Sequence, residues 1–182
     1  MDLLYSLAES FTRFMDASPG LLGFPFGFII AGIPVVLLHE LGHALAAIRL
    51  LGGDVEVSVG SVGKIADTRL GGIAVSLNAV SNPIGTSGSA EFDASRATAR
   101  DVLLIALAGP AASFVGTVLT ASLFVGASAG VLRDFLWAAT FVGALGVLNL
   151  IPFTLKERRN GPSMRSDGRL ALDALRVVRA LQ

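Results

Sequence analysis

The chain has 182 residues, of which 53% are hydrophobic and 15% charged, with a formal net charge of zero and no cysteine. A soluble domain usually carries about 25% charged residues, so this composition argues for a protein embedded in a membrane. Zero net charge offers nothing to a nucleic acid, and the lack of cysteine excludes disulfides and thiolate metal sites.

Residues 1–20 lack the basic start of a signal peptide, and acidic residues interrupt their apolar run. Their spacing suits a short amphipathic helix lying on a membrane surface. A bilayer span needs roughly 20 mostly apolar residues. Three stretches qualify: 21–51, interrupted by Pro25 and Pro34, then 102–127 and 131–153. The loop 52–101 contains period-two alternation at Asp54–Val59 and at Gly72–Val80, which predicts two or three short antiparallel strands. Ser81–Ala90 reads as a flexible loop and Thr154–Ser166 as a polar one. Residues 168–182 pattern as an amphipathic helix. The predicted fold class is therefore mainly α: a single polytopic membrane domain over residues 1–182, with about three transmembrane helices and a small β-hairpin or sheet in its cytoplasmic loop.

Basic residues orient the spans. Lys64, Arg69, Arg96 and Arg100 lie after the first span, and Lys156, Arg158, Arg159, Arg165, Arg169, Arg176 and Arg179 after the third. Only Arg13 and Arg133 fall on the other side. Cytoplasmic segments carry the excess of Lys and Arg, which predicts a multi-pass protein of the cell membrane with its N-terminus outside.

The first span contains His39-Glu40-Leu41-Gly42-His43. Residues four apart share a helix face, so both imidazoles can reach one metal ion. This H-E-x-x-H pattern pairs two zinc-binding histidines with a glutamate general base. Ionisable groups inside a span are costly and usually functional, and these are the chain's two histidines. From His43 to Leu51 is about 12 Å at 1.5 Å per residue, which places the site below the inner surface. Gly42 costs about 1 kcal/mol of helix propensity against Ala, which predicts close packing of another segment there.

Catalytic zinc usually has three protein ligands. With no further histidine, the third must be an oxygen. The residues themselves leave Glu91, Asp93, Asp101, Glu157, Asp167 and Asp173 open, with Asp54 and Glu56 just beyond the helix.

His39-Glu-Leu-Gly-His43 in an apolar helix, followed by Asn149-Leu-Ile-Pro152 and later by Asp167-Gly168, resembles the site-2 protease family of intramembrane metalloproteases. Ala108-Gly109-Pro110 is similar to a recurring family feature. The resemblance implies that zinc is held by His39, His43 and Asp167, that Glu40 is the catalytic base, and that Asn149 helps to hold substrate. One departure stands out: Asp167 follows Pro152 by fifteen residues, far more than is usual in the family. Asp167 is then either a ligand or the N-cap of the last helix. The expected activity is hydrolysis of a peptide bond in or next to a transmembrane segment of a membrane protein. The alternative is a catalytically inactive, metal-binding membrane scaffold of the same family. An edge strand from the Asp54–Val80 region is expected to pair with extended substrate.

Overall fold

The structure, a computed structural model, describes residues 23–79, 87–156 and 163–181 together with Glu9. The expected N-terminal surface helix otherwise lies outside these residues. Helix α1 is Gly23–Leu51, followed by strands β1 (Val55–Val59), β2 (Val62–Leu70), β3 (Ile73–Ala79) and β4 (Gly88–Glu91). Helices α2 (Ala99–Gly126) and α3 (Val131–Leu148) follow, then strands β5 (Thr154–Lys156) and β6 (Ser163–Arg165), and helix α4 (Asp167–Ala180). Three segments are long and apolar enough to cross a bilayer: Ile30–Leu51, Ala99–Gly126 and Val131–Leu148. Their outward faces carry exposed Leu45, Phe114, Val118, Leu119 and Leu123, as surfaces solvated by lipid do.

The chain's local chemistry sets the helix ends. Thr98 caps α2 through a capping box with Asp101. Helix α3 ends at Leu148, five residues before the expected Phe153. The physical reason is Pro152, which has no N–H to donate to the Leu148 carbonyl four residues earlier and whose ring would clash with it. Asn149 is therefore the C-cap of α3, not a polar residue within the span.

Two apolar cores occupy opposite ends of the bundle. At one end Ala31, Phe124, Leu136, Trp137, Ala138 and Ala139 pack together, and Phe28 meets Trp137 and Phe141 edge-on. At the other end Ala44 and Ala47 of α1 and Ile105 of α2 pack on Val55, Val57, Ile73 and Val75 of the sheet. Lipid tails are as apolar as Leu, so close packing, not hydrophobicity, holds spans together. Gly42 shows this: a Cβ there would lie 2.6 Å from the Ala108 carbonyl oxygen and 2.9 Å from Ala112 Cβ.

The small sheet expected in the loop is present, but its strands are not all antiparallel. Its order is β2-β3-β1-β4, and β1 pairs with β3 in parallel, Val57 opposite Val75. Val55, Val57 and Val59 are at most 1% exposed, and burial of each contributes about 1.5–3 kcal/mol. The Lys64–Asp67 and Arg69–Asp54 ion pairs on exposed β2 contribute less, about 1 kcal/mol at most. The sheet is thus held to α1 by its valines. Strand β4 begins in the stretch expected to be a flexible loop and ends at Glu91, and with β2 it brings the strands to four against the two or three expected.

The region 154–166, expected as a loop, contains an antiparallel pair, Thr154 opposite Arg165 and Lys156 opposite Ser163. Ser166 N–H donates to the Phe153 carbonyl, and Phe153 N–H donates to Ser166 Oγ. The two ends of this segment are therefore neighbours in space.

Candidate metal centre

Helix α1 delivers His39, Glu40 and His43 to one level of the bundle, between the two cores, and all three are buried at 7–8% exposure. The Ile105 carbonyl can only accept, so His43 Nδ1–H donates to it, at 2.7 Å. That fixes the tautomer and turns the Nε2 lone pair inward. Gly109 makes room for the ring: a Cβ there would stand 2.2 Å from His43 Nε2. His39 Nε2 lies 3.2 Å from His43 Nε2, and its Nδ1 lies 2.8 Å from Ser113 Oγ.

Asp167 comes from the other end of the chain. The cap of α4 is Ser166, whose side chain accepts from Arg169 N–H. Asp167 is therefore the first helical residue, and its carboxylate is free of capping duty. Its Oδ2 lies 3.0 Å from His39 Nε2 and 3.4 Å from His43 Nε2. Asn149 Nδ2–H donates to the same oxygen at 2.6 Å. Gly168 N–H donates to the Asn149 carbonyl, and a Cβ on Gly168 would fall 1.8 Å from the Leu150 carbonyl oxygen. Glycine after Asp167 thus lets the first turn of α4 sit against the end of α3. Burial pushes the Asp167 carboxyl up, but hydrogen bonds with His39 and His43 outweigh it and hold the group down at about 2. The carboxylate is ionised, as a metal ligand must be.

The donor set fits zinc. Zinc takes His and Asp at about 2.0–2.2 Å in a tetrahedron, whose edges are then about 3.3–3.6 Å. The three donor atoms here are separated by 3.0, 3.2 and 3.4 Å. Among the described residues, these three form the group able to hold a metal ion.

Among the described residues, the other carboxylates left open by the sequence lie outside this group. Asp54 pairs with Arg69, Asp101 with Thr98 and Asp93 with Ser95 N–H. Asp173 gathers Arg165, Arg169 and Arg176. Glu56 and Glu91 oppose each other on the sheet, and Glu157 lies outside the described residues.

Among the site residues that escaped the sequence reading are Ser113 and Gly88. Ser113 sits one helical turn after Gly109, a spacing that signals the same face of α2. Gly88 begins β4, and a Cβ there would meet Glu40 Cγ at 2.6 Å and Oε1 at 2.7 Å. No spacing rule links Gly88 to Glu40, because the sheet topology brings them together.

Compared with known proteins, the chain matches the family model of peptidase family M50 over residues 27–129. That range takes in α1 from residue 27, the sheet and α2, and stops short of Asn149 and Asp167. No curated protein matches the chain.

Proposed function

The chain belongs to peptidase family M50, a family of intramembrane metalloproteases, and from that premise we propose that it is an active zinc endopeptidase. It would cleave a membrane protein in or next to a transmembrane segment. The observation that carries the reading is the convergence of His39 Nε2, His43 Nε2 and Asp167 Oδ2 within 3.4 Å of one another, next to Glu40 inside a spanning helix.

His39, His43 and Asp167 are the proposed ligands. Zinc held there supplies Lewis-acid polarisation of a carbonyl and a water of lowered pKa. Glu40 takes a proton from the attacking water and returns it to the leaving amide nitrogen. Asn149, whose amide engages the Asp167 carboxylate, holds that ligand in place, and contact with substrate is its second proposed role. Ile105 orients His43 through its carbonyl.

Substrate must lose helix locally to expose a peptide bond. The strand nearest Glu40 is β4 rather than one of the Asp54–Val80 strands, and among the described residues nothing pairs with its outer edge. We assign to that edge the docking of extended substrate. The positive-inside pattern supports an N-terminus outside and a site reached from the cytoplasm.

The test pairs wild type with Glu40→Gln. Both should carry one zinc per chain, and only wild-type membranes should yield new protein termini in or beside transmembrane segments. Identical termini in the two would leave the inactive scaffold, which needs no carboxylate at position 40, as the better reading.

A further inference from the structure

The two histidines are oriented differently. His43 faces a carbonyl, which fixes its proton on Nδ1. His39 Nδ1 faces the Ser113 hydroxyl at 2.8 Å, and a hydroxyl can donate or accept. Ser113 is 1% exposed. Gly146 stands opposite: a Cβ there would lie 2.5 Å from Ser113 Oγ and 3.5 Å from His39 Nδ1. The bare backbone of α3 thus closes over the pair.

Hydroxyls inside a helix ordinarily bond back to a carbonyl one turn earlier. On α2, Thr117 bonds to the Ser113 carbonyl, Thr120 to that of Gly116 and Ser122 to that of Val118. Ser113 instead reaches across to α1, to a residue 74 positions away.

We propose that Ser113 is a positioning residue for the metal. It accepts the His39 Nδ1–H, so that the Nε2 lone pair of His39 faces His43 Nε2 and Asp167 Oδ2. This rests on the metal-centre reading above. Partners of this kind fix tautomer and ring orientation, and losing one typically weakens metal binding about 10–100-fold. A hydroxyl that merely joins two helices would contribute to packing and leave metal affinity alone.

The experiment measures zinc affinity of the purified, detergent-solubilised full chain by competition with a chromophoric chelator. Thermal unfolding of the metal-free protein reports packing separately. Ser113→Ala is expected to bind zinc about 10–100-fold more weakly than wild type. Ser113→Thr and Ser113→Val have the same shape and differ in the hydroxyl, so their comparison stays informative even if Ser113→Ala fails to fold. Thr is expected to bind zinc about tenfold or more tightly than Val, and to keep the visible absorption of tetrahedral cobalt(II) that Val loses. Equal affinities for Thr and Val, or an alanine variant matching wild type, would overturn the proposal and leave the metal centre standing. A wild-type protein that takes up no zinc would overturn the metal-centre reading and this proposal with it.

Discussion

At the scale of the residue, the site depends on side chains that are missing as much as on those present. Gly109, Gly168 and Gly88 each leave a space that a single methyl would fill with a clash, against His43 Nε2, the Leu150 carbonyl and Glu40 respectively. Gly109→Ala tests the first. Alanine favours the helix by about 1 kcal/mol, so α2 should persist while zinc binding is lost. Metal analysis beside circular dichroism would decide it, and one zinc per chain in the variant would count against a tightly fitted site. The H-E-x-x-H spacing was legible because a helix repeats every 3.6 residues, so two ligands could be placed with no knowledge of the rest. Asp167 could be placed only by resemblance, since no periodicity connects position 167 to position 39. Ser113 was missed because a serine in a span reads as helix–helix glue until its partner is seen.

At the scale of the element, the long spacing before Asp167 has a simple origin. A segment whose ends pair, Thr154 with Arg165, can grow or shrink without moving what flanks it. Replacing residues 156–163 with a two-residue Asn-Gly turn should therefore preserve zinc content. Loss of metal in a folded variant would show that the hairpin positions Asp167 in some further way. The sequence did not announce this hairpin, because three-residue strands are too short for alternation to register. Strand β2 was hidden differently: it is exposed along its whole length, so neither face carries an apolar signal. Strands β1 and β3 were legible because each buries alternate valine or isoleucine. Strand β4 offers a second prediction. Gly60 N–H donates to the Ser87 carbonyl, so antiparallel alternation makes Ser58–Ser89 a bonded pair and turns the N–H groups of Gly88 and Ala90 outward. Ala90→Pro removes one outward donor and spares the ladder to β1, a place where edge strands accept proline. Zinc should remain and cleavage should fall; full activity in that variant would remove β4 as the docking edge.

At the scale of the whole molecule, the spans were the most legible feature, because about 20 apolar residues per crossing is a length no short-range detail obscures. Their orientation was read from charge, and it can be measured directly. The native chain has no cysteine, so a single introduced thiol reports without background. Ser95→Cys, between the sheet and α2, should react with an impermeant maleimide only after cells are opened. Ser128→Cys, between α2 and α3, should react in intact cells. The reverse pattern would invert the topology and place the site near the outer face. The reach of the metal centre along the chain has a further consequence. His39 and Asp167 are 128 residues apart, and the first enters the membrane long before the second has left the ribosome. On the proposed reading, a nascent chain carries two ligands and its base but no complete hydrolytic centre until translation has passed residue 167. The order of synthesis itself keeps the half-made protease from cutting its neighbours during insertion.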